Sequence, residues 1–236
     1  MINANSELDF LYRGLRALVG FRARAALSWL RHGHVVRARK IAAYLAEHPD
    51  GKVHLGASHP LDSWLNSQIL GEVPIDITRK LPFPDNSLVM IYSSHLVEHV
   101  HRRQFERFLE ECLRVLKPGG VHIAATPSIE KIARTIYGPD SPEKDMLMES
   151  GARFYPEDFH SESQQINVTM RAFGHRFLYD LAFMQAAGRA AGFAEIERIN
   201  NFTLPDAPLS GYVRDKKPPR WNAETETFLF RAPRQG

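Results

Sequence analysis

From Gly51 onward, short apolar runs alternate with stretches that have the period of an amphipathic helix. Leu88–Ser93 is a mostly apolar run that predicts a buried strand. Gln104–Leu116 predicts an amphipathic helix, which Pro118 and the two glycines after it bring to an end. The next strand is predicted at Val121–Ala125. Because a helix that joins two strands usually makes them parallel neighbours, this alternation predicts an α/β fold.

Further strands and a second helix complete the predicted domain. The other strand candidates are Lys52–Leu55, Trp64–Ile69, Val73–Ile77, Glu195–Asn200 and Thr227–Arg231. Tyr179–Ala191 is predicted as an amphipathic helix that ends at Gly192. Residues 127–175 are predicted to be irregular, and we expect such a long segment to be a lid or an insertion. The prolines within Phe202–Trp221 predict a long surface loop.

The segment before the domain is basic and has a helical period. Residues 7–47 contain no proline and place apolar residues three and four apart, so we expect two or three helices there. We therefore divide the chain into a basic helical extension over residues 1–50 and a domain over residues 51–236. The extension is interpreted as a helical cap on the domain. A peripheral membrane surface, an acidic partner or an anionic substrate is the alternative contact.

The composition is that of a globular domain. Of the 236 residues, 44% are hydrophobic and 24% are charged, and the net charge of +3 does not by itself indicate a nucleic-acid partner. The single cysteine, Cys112, excludes an intrachain disulfide. The sequence has no run of about 18 apolar residues that would predict a membrane span, and no secretory signal. We expect a cytoplasmic protein.

Four blocks of sequence together resemble a known family. The blocks are Val53–Ser58 (VHLGAS), Leu81–Ser87 (LPFPDNS), Ser93–His99 (SSHLVEH) and Leu113–Gly120 (LRVLKPGG). Their order and spacing are similar to those of the class I S-adenosylmethionine (SAM)-dependent methyltransferases, and in particular of a small subgroup associated with surface-glycan and lipid-linked metabolism. The resemblance implies a Rossmann-like, mostly parallel sheet of seven strands flanked by helices. It also implies SAM as the cofactor.

The resemblance implies a cofactor site at the ends of four strands. The implied cofactor residues are Gly56, Ala57, Ser58, Gln68, Asp76, Ile77, Ser93 and Ser94. In the family, the loop at Gly56 holds the methionine end of SAM, and an acidic residue accepts hydrogen bonds from the ribose. Gln68 stands where that acid is expected, and it offers no charge to such a bond. Asp76 or the amide of Ile77 would contact the adenine.

The first crossover of the sheet departs from the family pattern. Only residues 57–64 separate Gly56 from the next strand, which is too short for a full crossover helix. We therefore expect that helix to be shortened or missing. The N-terminal helices would then cover the exposed face of the sheet.

The run His95-x-x-Glu98-His99 allows three interpretations. His95 would act as a general base on a substrate hydroxyl, since its ordinary pKa near 6.5 suits proton transfer. Alternatively, His95, Glu98 and His99 would bind a divalent metal, with His160 or His175 as a further ligand. In the third interpretation these side chains only support the loop. We select His95 and His175 as catalytic candidates and His99 and Tyr179 as substrate contacts, and we predict no metal.

The function implied by the resemblance is methyl transfer from SAM to a hydroxyl of a sugar or another small, possibly anionic metabolite. Two alternatives stay open because of the altered loop and Gln68. One is an enzyme of this fold that catalyses a cyclisation, elimination or hydrolysis. The other is a binding protein without catalysis. A nucleic-acid substrate is not expected, because the sequence has no separate recognition domain.

Overall fold

A computed structural model describes residues 34–154, 161–200, 204–217 and 219–234, together with Gly20 and Ala23. Most of the predicted N-terminal helical extension therefore lies outside the described residues. Its last part, His34–Glu47, forms helix α1, as predicted. No described helix is both long enough and apolar enough to cross a membrane.

The described residues contain a single sheet of six strands. The strands are β1 (Gly51–Leu55), β2 (Leu65–Ser67), β3 (Leu88–Ser94), β4 (Leu116–Pro127), β5 (Glu195–Ile199) and β6 (Thr225–Arg231). Their order across the sheet is β2-β1-β3-β4-β6-β5. The first four strands are parallel to one another, whereas β6 is antiparallel to both β4 and β5. The fold is therefore the predicted Rossmann-like methyltransferase fold, with a mainly parallel sheet.

The predicted seventh strand is absent from the described ranges, and the prediction of a strand at Val73–Ile77 was wrong. The apolar side chains of this segment are buried against the core. Two carbonyls of this segment, however, accept hydrogen bonds from side chains rather than from a neighbouring strand. Ser67 Oγ donates to the Val73 carbonyl at 2.8 Å, and Arg37 Nη1 donates to the Pro74 carbonyl at 3.1 Å. Pro74 also has no N–H to offer a sheet.

Eight helices surround the sheet within the described residues. They are α1, α2 (Arg102–Val115), α3 (Ile129–Tyr137), α4 (Pro142–Ala152), α5 (Glu162–Arg171), α6 (Leu181–Ala191), α7 (Ala207–Lys216) and α8 (Pro219–Glu224). Helix α6 ends as predicted, because Gly192 adopts the left-handed conformation at φ +100°. Two loop predictions were wrong, since residues 127–175 contain α3, α4 and α5, and Phe202–Trp221 contains α7 and the start of α8.

No helix lies between β1 and β2 in the fully described segment that joins them, as the short spacing predicted. Helix α7 covers that face of the sheet instead. Its buried Leu209, Tyr212 and Val213 belong to the same apolar cluster as Tyr92 of β3. Helix α1 packs on the opposite face, where its Ile41 joins the other large cluster. For the described part of the N-terminal extension, the prediction that it fills the open face was therefore wrong.

The three helices after β4 form an excursion from the sheet. The segment leaves and returns at one point, because the Ile129 amide donates to the Tyr179 carbonyl at 3.0 Å and Ser128 bridges Tyr179. Its buried residues Ile132, Ile136 and Leu147 pack with Ala223 of α8 in a separate small cluster. The excursion is thus an insertion that packs against α8. Its role as a lid stays a prediction.

Candidate functional site

The site is placed by the topology of the sheet. The chain passes from β1 to β2 on one side and returns to β3 on the other, so the carboxyl ends of β1 and β3 border a crevice. Ligands of open α/β sheets bind at such a switch point. Both strands end in a sharp turn, with Gly56 at φ +69° and His95 at φ +49°. A positive φ is unusual for histidine, so the turn at His95 is a strained position held by its surroundings.

A first cavity lies beside the loop that follows β1, and we call it the loop cavity. Its volume is about 330 Å³. The lining residues are Ala57, Ser58, Pro60, Asn66, Gln68 and Gly71. Three of the predicted cofactor residues therefore lie together. Gly56 is not in this lining, and a β-carbon built on it would lie 3.3 Å from Leu96 Cδ1. The glycine thus allows the left-handed turn and the close approach of Leu96.

The other residues predicted near the adenosine have local partners. The Gln68 side-chain amide donates to the Ala57 carbonyl, so one of its polar groups is already used within the loop. Asp76 Oδ1 accepts from the amide and the hydroxyl of Thr78, at 2.9 and 2.7 Å. Its Oδ2 lies 3.2 Å from Arg79 Nε. Asp76 therefore caps a turn, and Ile77 is buried in the core. Contact of Asp76 or Ile77 with adenine stays a prediction.

Ser93 and Ser94 at the end of β3 lie on opposite faces of the sheet. Ser93 Oγ is 3.2 Å from His122 Nε2, and both residues are buried. Burial lowers the pKa of His122 to about 3, so its ring is neutral. Ser94 Oγ instead accepts a hydrogen bond of 2.7 Å from Lys217 Nζ. Of the two serines, Ser94 alone lies with the polar groups of the crevice.

A second cavity brings three predicted histidines together, and we call it the histidine cavity. Its volume is about 200 Å³. The lining residues are His95, His99, Thr169, Phe173, His175 and Glu224. The rings of His99 and His175 lie 5.0 Å apart, edge to face. Residues from distant parts of the chain therefore meet at one cavity, as expected for a shared site.

His95 is held between a carboxylate and a hydroxyl. Its Nδ1 lies 3.1 Å from Glu98 Oε1, and its Nε2 lies 3.1 Å from Thr225 Oγ1. Glu98 is fully buried, and its Oε2 accepts from the Thr126 hydroxyl at 3.0 Å. Burial raises the pKa of Glu98, but the His95 side chain and the charges of His95 and His99 outweigh it and hold the pKa below its usual value. Oε1 makes no well-aligned hydrogen bond among the described residues, so Glu98 acts on His95 through its charge at 3.1 Å.

His175 is fixed by the insertion. Its Nδ1 lies 2.5 Å from the Thr169 carbonyl, and the amide of the next residue, Arg176, donates to the Glu98 carbonyl at 2.7 Å. Burial lowers the pKa of His175. Ligand atoms of Glu98, His99 and His175 all lie within 4.8 Å of one another. This set contains Glu98, His99 and His175 of the predicted metal alternative but not His95. His160 lies outside the described residues.

The prediction that Tyr179 contacts the substrate was wrong. Its side chain is fully buried, and its hydroxyl donates to the Val97 carbonyl at 3.0 Å. The ring packs against Phe105 and Phe177, with centroids 4.7 and 5.1 Å away. Tyr179 thus belongs to the core, and its hydroxyl holds the turn of residues 97–99 through the Val97 carbonyl.

Sequence reasoning missed a group of site residues that the chain's last helices supply. Lys217 follows α7, and Trp221 lies in α8. Lys217 Nζ lies over the rings of Tyr212 and Trp221, at 5.2 and 5.7 Å from their centroids. The Trp221 ring is in turn 6.4 Å from that of His95. The proline-rich pattern of this segment predicts a loop, which gives no reason to place Lys217 or Trp221 at the site.

Part of the chain matches a family of known proteins. Residues 61–124 match the family model described as a methyltransferase domain. A stretch of 49 residues is 39% identical to a protein of Mycolicibacterium smegmatis described as a probable S-adenosylmethionine-dependent methyltransferase. That match covers 21% of this chain and 18% of the relative, so this chain aligns with less than a fifth of the relative's length.

Solved structures with a distant likeness span more of the chain. A phosphoethanolamine N-methyltransferase 2 of Haemonchus contortus is 13% identical, with a TM-score of 0.40, and the likeness covers 84% of this chain and 53% of the other. The YcgJ protein of Bacillus subtilis is 13% identical, with a TM-score of 0.42 and coverages of 84% and 99%. An S-adenosylmethionine-dependent methyltransferase of Mesorhizobium loti is 17% identical, with a TM-score of 0.42 and coverages of 80% and 96%.

The strand order, rather than these distant likenesses, defines the fold of this chain. The matched segment 61–124 begins before β2 and runs to the end region of β4. It therefore includes the turn at His95 and part of the loop cavity. The similarity to a methyltransferase domain thus extends over residues 61–124 of this sheet.

Proposed function

We propose that this chain binds SAM at the carboxyl ends of β1 and β3 and transfers its methyl group to a hydroxyl of a small metabolite. The observation that carries the proposal is the orientation of His95 at the crevice. Its Nδ1 lies 3.1 Å from the buried Glu98 carboxylate, its Nε2 lies 3.1 Å from the Thr225 hydroxyl, and the residue lines the histidine cavity. The matched family segment and the described relative support SAM as the methyl donor.

The loop cavity fits the nucleoside part of such a ligand. Its lining combines small residues, Ala57, Ser58 and Gly71, with the polar side chains of Asn66 and Gln68. Small side chains leave room for a bulky ring system, and polar ones can bind its hydroxyls. Asn66 is fully used by the backbone of residues 61 and 64. Gln68 and Ser58 are therefore the side chains that we assign to the ribose.

SAM carries a methyl group on a positive sulfonium. When an acceptor oxygen attacks that methyl, the C–S bond breaks and neutral S-adenosylhomocysteine is the leaving group. The protein then needs to place the acceptor and to remove its proton. The Glu98 carboxylate favours the form of His95 that has its proton on Nδ1, so the lone pair of Nε2 is available. The buried Thr225 hydroxyl, 3.1 Å from Nε2, holds that position in this structure, so an acceptor hydroxyl would have to displace it. His99 and His175 are assigned to the acceptor.

A metal-dependent variant of the same function is the second candidate. The atoms of Glu98, His99 and His175 that lie within 4.8 Å of one another are a carboxylate oxygen and two imidazole nitrogens, which suit a transition metal. In that case the metal would polarise the acceptor hydroxyl. Stimulation of methyl transfer by Zn²⁺ or Mn²⁺ after chelation, lost in His99→Gln, would favour this candidate over direct deprotonation by His95.

The proposal is tested by methyl transfer from isotopically labelled SAM. The full chain is incubated with a panel of small hydroxyl compounds, in which sugars and acidic sugars are compared with amino and thiol compounds. We expect label in a hydroxyl compound, and we expect the sugars to be the better acceptors. Label in an amine alone would contradict O-methylation. Release of products without any labelled acceptor would favour the non-methylating enzyme.

A further inference from the structure

Lys217 lies between the two cavities. Its Nζ is over the ring of Tyr212, which is 6.3 Å from the ring of His59 next to the loop cavity. The same Nζ is over the ring of Trp221, which is 6.4 Å from the ring of His95 in the histidine cavity. A ligand that reached from one cavity to the other would therefore pass this ammonium group.

The ammonium of Lys217 has little compensation for its burial. Its one polar contact at hydrogen-bond distance within the described part of the chain is neutral, the Ser94 hydroxyl at 2.7 Å. None of the described carboxylates forms an ion pair with it, and Glu98 acts on it only from a distance. Burial lowers the pKa of Lys217 to about 8, which is the response of a cation that lacks a counter-charge.

The groups around Lys217 are also short of partners. Among the described residues, the Trp221 indole N–H is buried without a hydrogen bond, and the Tyr92 and Tyr212 hydroxyls have no well-aligned one, although the Ser94 and Ser58 side chains act on them. The ring nitrogens of His54 also lack a well-aligned hydrogen bond within the described ranges, with the Asn66 side chain acting on the ring. The rings are neighbours, with centroid distances of 4.9 Å from His54 to Tyr92 and 5.5 Å from His54 to Tyr212. Buried polar groups without partners are costly, and here they are concentrated at one place.

Most of these groups offer hydrogen-bond donors. An ammonium and an indole N–H can only donate, and a hydroxyl or a neutral imidazole can donate one proton. We propose that Lys217, together with Ser94, Tyr212 and Trp221, forms a subsite for an anionic group of the bound ligand, a carboxylate or a phosphate. The anion would accept from the ammonium and the indole and would supply the missing counter-charge. This inference rests on the proposed function for the identity of the ligand, but not for the presence of the subsite.

The anionic group has two possible sources, the amino-acid carboxylate of the cofactor and an acidic group of the acceptor. The first test therefore uses a probe that belongs to neither. The thermal midpoint of the full chain is followed against inorganic phosphate, with sodium chloride in a parallel series at equal ionic strength. We expect phosphate to raise the midpoint of the wild-type protein, because a ligand that binds the folded state stabilises it. The rise should disappear in Lys217→Met and persist in Lys217→Arg.

Lys117→Met is the matched control. It removes the same charge from a half-exposed lysine at the opposite end of the sheet, near the start of β4. Its response to phosphate should equal that of the wild-type protein. The subsite is contradicted if phosphate raises the thermal midpoint of Lys217→Met as much as that of the control. It is also contradicted if neither phosphate nor S-adenosylhomocysteine raises the midpoint of the wild-type protein.

The second test identifies the source by calorimetry with S-adenosylhomocysteine and with methylthioadenosine, which lacks the carboxylate. If Lys217→Met weakens S-adenosylhomocysteine about tenfold and leaves methylthioadenosine unchanged, the anion belongs to the cofactor. If both affinities are unchanged while the phosphate response is lost, the anion belongs to the acceptor. A phosphate response that depends on Lys217 without any nucleoside binding would support the subsite and contradict the proposed function.

Discussion

The Nδ1 atom of His95 lies 3.1 Å from Oε1 of Glu98, a fully buried carboxylate. The pair is local in sequence but is completed by distant residues, because Thr126 donates to Glu98 and Thr225 contacts His95. The imidazole is thus fixed on both sides in a turn at φ +49°. A histidine oriented in this way can take a proton at Nε2 once an acceptor hydroxyl replaces the Thr225 hydroxyl there.

His95→Gln should slow methyl transfer and leave cofactor binding unchanged. Glutamine can keep a hydrogen bond to Glu98 or Thr225, but it cannot accept a proton at neutral pH. General-base catalysis contributes about 100-fold or more, so the turnover rate should fall by that factor. Steady-state kinetics with calorimetry of S-adenosylhomocysteine checks both statements. His48→Gln, near the amino end of β1, is the control. An equal loss of cofactor affinity would show that His95 serves binding.

Gln68→Asp should tighten the binding of S-adenosylhomocysteine. Gln68 lines the loop cavity, and its side-chain amide donates a hydrogen bond to the Ala57 carbonyl. A carboxylate would accept charged hydrogen bonds from ribose hydroxyls, which are about twice as strong as neutral ones. We expect about a tenfold gain in affinity. Gln68→Asn keeps the amide and should give no gain. An unchanged affinity in Gln68→Asp would contradict the assignment of this residue to the ribose.

The stability of the fold should fall in mild acid. Burial, followed by the charge of Lys217, lowers the pKa of His54 from 6.5 to about 3, and burial alone does the same for His122. Between these values the unfolded chain binds protons that the folded protein does not. Stability is therefore present above pH 6.5 and is lost as the pH falls, with a slope for each histidine that approaches about 1.4 kcal/mol per pH unit near pH 5. Urea unfolding at several values between pH 7 and pH 5 measures the slope.

His122→Phe should remove one of these two contributions. The ring of His122 lies between Phe108 and Phe230, with centroids 5.3 and 5.5 Å away, so an aromatic side chain of similar size can replace it. The slope against pH near pH 5 should then be smaller by about 1.4 kcal/mol per pH unit. An identical slope in the variant and the wild-type protein would mean that His122 becomes protonated without unfolding.

Arg114→Met should destabilise the fold, because Arg114 joins α2 to the loop before β3. The guanidinium donates to Glu111, to Asp85 and to the carbonyls of Leu81 and Phe83, at 2.6 to 3.0 Å. Loss of this network should lower the free energy of unfolding by about 2 kcal/mol. Arg107→Met, an exposed position on the same helix, is the control and should change little. An equally small effect at Arg114 would contradict a structural role for the segment Leu81–Ser87.

The strand pattern could be predicted because burial leaves a direct trace in the sequence. The predicted runs begin close to the observed starts of β1, β3, β5 and β6. Strand β4 begins earlier than predicted, at Leu116. Val73–Ile77 has the same apolar character, but its backbone is bound by Ser67 and Arg37. Such side-chain contacts from distant elements leave no periodic signal, so this segment was mistaken for a strand.

The helices that were mistaken for loops did carry start signals. Ser128, Ser141 and Asp206 each accept a hydrogen bond from the backbone three residues later, and Pro142 and Pro208 lie in the first turns. Serine or aspartate followed by proline is typical of a helix start. The prolines were instead interpreted as breakers. A proline directly after a capping residue therefore indicates a helix start here rather than a loop.

The candidate site was predicted in part. The run His95 to His99 follows a clear strand, and the structure places it beside His175 at one cavity, whereas the catalytic roles of His95 and His175 stay predictions. Lys217 could not be found, since it reaches Ser94 across 123 positions of sequence through a helix that replaces a missing crossover. A contact of that kind depends on how two segments pack, which no local pattern records.

The most direct test of the account is calorimetric titration of the full chain with SAM and with S-adenosylhomocysteine. The account predicts that both bind with micromolar affinity in a single site, and that the substitution at Gln68 shifts both affinities in the same direction. An absence of binding at millimolar concentrations of either ligand would contradict the central claim that this crevice holds SAM.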